Sequence, residues 1–274
     1  MGDKFSLKIK LAVIVILLSA SGLVYGQRTQ IKRYMLLRSS PKYTVQFSLN
    51  YNQAVLELSG TYNDDVRSEY IYDGQTFGAD KGYGASVISK MSLTNRGDIR
   101  FIQSLTYNRL LSYTFGDKTT LADDGKATYN CFTGALGLEY NFTPGHRYKI
   151  FLAAELNASM INGHAKIWFE NRGIGEPYVE EYDILNSFRM GYGFLVGSEY
   201  LIANDLGLNI GARFTNANAL FRQAEGNNSD REFKLRDADN PNLKFAGNKN
   251  FSFYSIVLGI GYYFGVKEKK YKLN

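Results

Sequence analysis

The sequence predicts an all-β protein, an eight-stranded antiparallel up-and-down transmembrane β-barrel. Three observations predict it: a composition rich in aromatic residues and glycine, eight long stretches of alternating apolar and polar residues, and connections that alternate between long and short. With 21 Tyr, 18 Phe, 27 Gly and only 4 Pro among 274 residues, the composition favours long twisted strands over helices. No linker divides the chain, so a single barrel domain is the simplest interpretation.

The first residues predict export. Three lysines precede an apolar run, Leu11–Leu18; the small residues Ser19–Gly22 follow it, and a small residue, Gly26, stands just before Gln27. This order is typical of a signal peptide, here residues 1–26, cleaved after Gly26. A retained membrane anchor is the weaker alternative, because the apolar run is shorter than the ~20 residues that a spanning helix needs.

The charge of the chain excludes one class of partner. Removing residues 1–26 takes away three lysines and one aspartate and lowers the formal net charge from +6 to +4. Because this small basic excess is dispersed among acidic residues, no nucleic-acid partner is predicted. The single cysteine, Cys131, excludes an internal disulfide bond.

Eight stretches have the period-two pattern of strands. Most reach the about 9–11 residues that a tilted membrane-crossing strand requires. In the last stretch, apolar residues from Tyr254 to Phe264 share one face, while Ser255, Gly259 and Gly261 share the other. The stretches are Tyr43–Thr61, Gly82–Thr94, Ile99–Phe115, Thr128–Phe142, Lys149–Phe169, Ser187–Ile202, Leu206–Arg222 and Phe251–Val266.

The connections between these stretches predict the topology. Residues 62–81, 116–127, 170–186 and 223–250 form long connections, and short turns such as Asn95–Asp98 alternate with them. Outer-membrane barrels have tight periplasmic turns and long external loops, and an even strand count leaves both termini in the periplasm. We therefore assign residues 27–42 to a periplasmic N-terminal segment, 43–266 to the barrel and 267–274 to a basic C-terminal tail.

Two stretches depart from strict alternation. In the third, Gln103 and Arg109 occupy outward positions, and Arg109 falls near the outer interface, where a charge costs little. In the first, the phase of the apolar residues changes near Asn50–Gln53. We interpret this change as a bulge in one long strand, with a hairpin that would make nine strands as the alternative.

The last strand also carries Gly259, Tyr262 and Phe264 in the order Gly-x-x-aromatic-x-aromatic. With the signal peptide, strand count and loop rhythm, this makes the chain resemble the small eight-stranded outer-membrane barrels of the OmpA/OmpX type, particularly the β-barrel domain proteins of Bacteroidetes-like bacteria. The resemblance covers residues 43–266. It implies a porin-like protein of the bacterial outer membrane, surrounded by its lipids, whose last strand is read by the barrel-assembly machinery. Val257 stands where that signal usually has a polar residue, and the basic tail follows the last aromatic residue.

Eight charged residues occupy inward positions, four acidic and four basic. The interior of an eight-stranded barrel is filled by side chains, and charges there are costly unless they are paired. We therefore predict an internal ion-pair network that closes the lumen, with a narrow ion pathway as the alternative. The eight residues are Glu57, Lys90, Arg100, Glu139, Glu155, Arg189, Glu199 and Arg213.

Neither an enzyme nor a metal or cofactor site is predicted. His164 is the histidine best placed for chemistry, with Ser112 or Thr114 as conceivable partners, but no catalytic motif surrounds it. Asp237 and Asp239 could offer oxygens to calcium, yet they lack the spacing of a dedicated calcium loop.

The long loops supply the candidate contacts with an unknown extracellular ligand, because tyrosine and arginine anchor many protein interfaces. These candidates are Tyr70, Tyr72, Tyr178, Tyr182, Arg231 and Arg236. The predicted function is a non-enzymatic structural or binding barrel whose loops serve adhesion or ligand binding. The alternatives are a component of a protein-secretion assembly with its own secretion partner, as in the PorT-like barrels that the chain also resembles, and a narrow solute channel.

Overall fold

The computed structural model describes residues 37–59, 77–115, 124–169, 178–223, 232–238 and 248–268. These residues contain eleven strands and one 3-10 turn, Leu56–Leu58. We call the end of the barrel with the short connections the turn end and the opposite end the loop end. The strands are β1 Leu37–Ser39, β2 Tyr43–Val55, β3 Ala79–Ser92, β4 Ile99–Phe115, β5 Asp124–Asn141, β6 Tyr148–Phe169, β7 Tyr178–Leu201, β8 Leu206–Leu220, β9 Glu232–Lys234, β10 Ser252–Phe264 and β11 Lys267–Glu268.

The eight long strands, β2–β8 and β10, form one closed antiparallel sheet. Each pairs with its neighbours in the chain, and β10 closes the sheet by pairing with both β8 and β2. A row of paired residues that starts at Tyr43 and is followed round the barrel returns to β2 ten residues further on, at Gln53. This stagger tilts the strands and leaves an interior only wide enough for side chains. The predicted fold class is confirmed.

The two faces of the closed sheet carry opposite chemistry. Large apolar side chains point outward, with Leu49 72% and Leu105 71% exposed, while polar side chains such as Asn50 and Arg100 are buried inside. Outward tyrosines lie near both ends of the apolar rows. An apolar belt between aromatic girdles around a polar interior is the arrangement of a transmembrane barrel.

The barrel wall is uneven in height. β4, β5, β6 and β7 contain 17, 18, 22 and 24 residues, whereas β2, β3, β8 and β10 contain 13 to 15. The extra residues lie at the loop end, where β6 and β7 stay paired up to Phe169 and Tyr178. The predicted loop at 170–186 is therefore too long by nine residues, since β7 begins at Tyr178. We call residues 109–115, 124–130, 162–169 and 178–186 the raised wall.

β2 is regular, so the predicted bulge near Asn50–Gln53 is wrong. Its pairing with β3 and with β10 runs without a register shift. The strand ends at Val55 because Leu56 adopts a left-handed φ of 55° and opens the 3-10 turn. Ala54 and Leu58 are buried inside the barrel. The change of phase in the sequence therefore marks apolar residues that turn inward.

An apolar core fills the loop end of the interior. The rings of Phe77, Tyr129 and Phe251 pack edge to face with centroids 5.5 to 6.0 Å apart. The Tyr129 hydroxyl donates a hydrogen bond to the Phe77 carbonyl at 2.9 Å. Leu58 from the 3-10 turn and Leu235 from the β8–β10 connection join the same core. Two connections therefore fold into the mouth of the barrel and cover it from within.

The two ends of the described chain meet at the turn end. β1 and β11 form a short antiparallel ladder in which Leu37 is opposite Glu268 and Ser39 is opposite Lys267. The sequence analysis assigned residues 27–42 and 267–274 to two separate segments. In the structure, the described parts of these segments pair with each other. Residues 1–26 lie outside the described residues, and the signal peptide stays a prediction.

Candidate functional site

The predicted interior charges form separate groups rather than one network, and the largest lies near the turn end. Lys90 contacts Glu139 at 2.7 Å and Glu199 at 2.5 Å. Arg100 donates from Nε to Glu139 at 2.5 Å and from both terminal nitrogens to Glu199 at 3.1 and 3.2 Å. All four side chains are at most 2% exposed. We call these four residues the lower ion cluster.

Three further buried residues surround the lower ion cluster, and the sequence analysis did not identify any of them. The Gln46 amide and the Tyr263 hydroxyl donate to Glu199 at 2.9 and 3.2 Å. Lys149 is fully buried nearby and donates to the Pro144 carbonyl at 2.5 Å. The available signal was the position of Lys149 on β6, which has the same inward parity as Glu155; in the structure it lies opposite Glu199.

A second ion pair lies midway along the interior. Arg213 donates to Glu155 and to the Thr106 hydroxyl, both at 3.2 Å. The cavity beside this pair has a volume of only about 10 Å³. A space of that size holds about one water molecule.

The third pair ties the β8–β10 connection into the barrel mouth. Arg189 donates to both carboxylate oxygens of Asp237, at 2.6 and 3.1 Å. Asp237 also accepts from the Asn218 amide at 3.1 Å and from the Gln223 backbone at 2.7 Å. The Asn218 oxygen accepts from the Phe251 N–H at 2.6 Å. Asp237 was considered from sequence as a calcium ligand, but its carboxylate binds Arg189 instead. We call the Arg189–Asp237 pair the arginine clamp.

Asn218 reaches Asp237 because β8 is irregular there. The β7–β8 register shifts between Met190 and Tyr192, which leaves extra residues on β8. Gly191 permits the close approach, since a Cβ at this position would lie 1.9 Å from the Asn216 carbonyl oxygen. No group of three or more potential metal-binding side chains occurs among the described residues.

The prediction for Glu57 is corrected. It lies in the 3-10 turn, beyond the end of β2, and accepts a hydrogen bond from the Asn250 amide at 2.8 Å. It therefore joins two connections at the mouth and belongs to none of the interior ion pairs. The strand ended earlier than the alternation suggested because Leu56 takes the left-handed conformation.

The predicted loop contacts have different environments. Tyr178 is 55% exposed at the start of β7, and Arg236 is half-buried. Tyr182 is buried in the apolar core, so its prediction as a loop contact is wrong; β7 begins earlier than predicted and turns this ring inward. Tyr70, Tyr72 and Arg231 lie outside the described residues.

The three residues of the predicted assembly signal lie on the closing strand. Tyr262 and Phe264 point outward at the turn end, with ring centroids 4.8 Å apart. Gly259 points inward, where a Cβ would meet the Phe47 carbonyl oxygen at 2.3 Å. The glycine therefore allows β10 to lie close against β2, while the two aromatic rings end the apolar belt.

The raised wall changes from apolar to polar along its outer face. Tyr107, Asn130, Asn162 and Asn186 form a chain of hydrogen bonds across β4–β7 at 2.9, 3.0 and 2.7 Å. The hydrogen-bonded pair His164–Asp183 and the ion pair Lys166–Glu181 lie beyond this polar row, at 2.9 and 2.5 Å. These pairs are largely exposed, so the raised wall beyond the polar row lies in water rather than lipid.

The histidines do not form the arrangement of a hydrolase. His164 points outward, whereas Ser112, one of its conceivable partners, is fully buried inside the barrel. The side chain of Thr114 is not among those described. In the β5–β6 turn, burial and then the nearby charge of Lys149 lower the pKa of His146, which keeps this imidazole neutral at pH 7.

Within the described residues, no helix is long and apolar enough to cross a membrane.

The strand count, the closure and the two opposite faces define a small eight-stranded outer-membrane-type β-barrel. The likeness predicted from sequence is thereby confirmed at the level of the fold. No protein-family model and no curated protein matches the chain.

Several solved structures are similar to it. Neisserial surface protein A shares 15% identity over 83% of this chain and 100% of its own, with a TM-score of 0.43. Ail, the attachment invasion locus protein of Yersinia pestis, solved with the heparin analogue sucrose octasulfate, shares 12% over 81% and 99% (TM-score 0.36). The N-terminal β-barrel domain of Pseudomonas aeruginosa OprF shares 11% over 82% and 99% (TM-score 0.34).

Proposed function

We propose that the protein is a non-enzymatic surface-display barrel of the bacterial outer membrane that binds an external protein through the raised wall and adjoining loops. The observation that supports this proposal is the uneven wall: β6 and β7 extend as a paired hairpin beyond the polar row, while β2 and β10 end near it. A barrel that only had to cross the bilayer would not need strands of 22 and 24 residues.

The chemistry of the raised wall suits protein binding. Its outer face combines Trp168 with charged side chains, and Lys166 lies 5.8 Å from the indole ring.

The interior argues against transport. The lower ion cluster, the Arg213–Glu155 pair, the apolar core and the Arg189–Asp237 clamp follow one another along the lumen. Because each group is packed and mostly hydrogen-bonded, opening a pore would require breaking several of them together. We therefore assign the interior to rigidity and the exterior of the loop end to function.

Shortening the hairpin tests the proposal. In this variant an Asn-Gly turn replaces residues 166–181 and connects Ala165 to Tyr182, which are paired in the native sheet. Cells with the shortened barrel should lose aggregation and attachment to immobilised serum proteins, while heat-modifiable gel migration shows that the barrel still folds. Arg96→Ala in the exposed β3–β4 turn is the control.

A secretion component is the competing function, and the same strains distinguish it. Purification in mild detergent would then bring stoichiometric partner proteins, and a deletion strain would lose exported proteins. Normal attachment by the shortened variant, together with such an export defect, would refute the display function.

A further inference from the structure

An apolar groove crosses the lipid-facing side of the barrel. It has a volume of about 720 Å³ and lies over outward residues of β10, β2, β3, β4 and β5. Its floor is made by small residues: Ala85 lies between Leu49 and Tyr107, and Gly134 lies beside Leu105. The larger neighbours stand up on both sides, since Leu49 and Leu105 are more than 70% exposed. This volume is in the range of about 300–1,000 Å³ found for ligand sites.

Two cations lie just beyond the loop end of this groove. Arg109 is the next outward residue after Tyr107 on β4, and Lys81 is the next after Tyr83 on β3. In the β3–β4 register Tyr83 is opposite Arg109 and Lys81 is opposite Leu111, so Arg109 and Lys81 are diagonal neighbours, a position at which backbones are about 7–8 Å apart. Both lie beyond the outward tyrosines that mark the edge of the apolar belt.

Arg109 is exposed and makes no ion pair or hydrogen bond with any described residue. Lys81 has only a loose contact with Asp80, at 3.7 Å between two half-exposed side chains. The guanidinium of Arg109 is therefore available to an anion at the depth of the lipid headgroups. Guanidinium and ammonium groups that flank one site are well suited to bind phosphate.

We propose that the groove and these two cations form a binding site for a phosphate-bearing, acylated lipid of the outer leaflet. The phosphate lies between Arg109 and Lys81, and an acyl chain runs down the groove over Ala85 and Gly134. The cations lie toward the headgroup region and the groove lies toward the membrane interior. This order matches a lipid whose phosphate is at the surface and whose acyl chains are below it. Arg109 lies at the edge of the raised wall nearest the groove, whereas the β6–β7 hairpin used by the proposed function extends farther along the wall, up to Phe169 and Tyr178, so different variants test the two sites.

Native mass spectrometry of the delipidated barrel in neutral detergent tests the site. Dioleoyl phosphatidic acid should bind as one equivalent, about tenfold more tightly than dioleoylglycerol, which has the same chains without the phosphate. Arg109→Gln, Lys81→Gln and the groove-filling Ala85→Leu should each weaken phosphatidic acid binding about tenfold. Arg96→Gln in the β3–β4 turn and Ala154→Leu on the lipid face of β6 are matched controls and should bind as the native protein does.

Any of three other outcomes would overturn the proposed lipid site. Equal retention of phosphatidic acid by all five variants would mean that the lipid is an unselective neighbour. Displacement by an equal concentration of inorganic phosphate would mean that the cations act without the groove. A protein dimer that Ala85→Leu abolishes would assign the groove to a second copy of the chain. Heat-modifiable migration confirms folding of each variant, and Lys81→Gln keeps the test decisive where Arg109→Gln fails to fold.

Discussion

Glu199 is the residue on which the stability of the turn end depends most. Its carboxylate accepts from Lys90, from both terminal nitrogens of Arg100, from Gln46 and from Tyr263. In Glu199→Gln, Lys90 and Arg100 keep only the carboxylate of Glu139. The N–H groups of the new amide would also face Lys90 and Arg100, which are donors and need acceptors. Removing one member of a buried ion pair costs about 3–5 kcal/mol, so we expect a loss of that size in the free energy of unfolding.

Urea unfolding in lipid vesicles, followed by the fluorescence of the single tryptophan, Trp168, measures this loss. Glu181→Gln is the matched control, because Glu181 forms an exposed pair with Lys166 that contributes about 0–1 kcal/mol. The double variant Lys90→Met, Glu199→Gln should be less destabilised than the sum of its single changes, since it removes the stranded charge. Equal losses for Glu199→Gln and Glu181→Gln would refute the assignment of the lower ion cluster as the stabilising element of the turn end.

Three further predictions concern other parts of the barrel. Phe251→Ala should cost about 3–5 kcal/mol through the cavity left in the apolar core, while Tyr254→Ala on the exposed face should cost less; equal costs in urea unfolding would contradict the core. Gln103→Leu should raise the free energy of unfolding by about 1–2 kcal/mol, because the outward amide has no partner among the described residues and faces lipid; a loss would show that the amide is bound. Asp237→Ala should speed proteolysis within residues 224–250 by releasing the arginine clamp, and an unchanged cleavage rate would argue against its anchoring role.

The sequence was most informative where the chain contacts lipid. A lipid-facing position demands an apolar side chain, so the alternation in β4 and β10 located both faces correctly, including the exceptional outward positions of Gln103 and Arg109. The closed sheet also followed from the strand lengths and from the alternation of connections. These are local signals that a single chain displays without any knowledge of its tertiary contacts.

The same signal failed where apolar residues face inward. The predicted bulge in β2 would have turned Ala54 and Leu58 toward lipid, but the strand has no bulge and both residues are buried inside the barrel. Alternation alone cannot distinguish these two apolar environments. The pairing of interior charges was also beyond the sequence, since Arg189 binds an aspartate 48 residues away that lies outside the strands. Such contacts depend on how a connection folds back, which composition and period do not encode.

The apolar core at the mouth has a consequence for how the protein responds to its surroundings. At the turn end the barrel is polar within and apolar without, so its folded state needs a membrane or detergent. At the loop end the order is reversed, as in a water-soluble β-protein, with Phe77 and Tyr129 enclosed and polar side-chain pairs outside. One continuous sheet thus passes from lipid to water along its length, and the loop end is held together by its own hydrophobic interior, whatever the thickness of the bilayer.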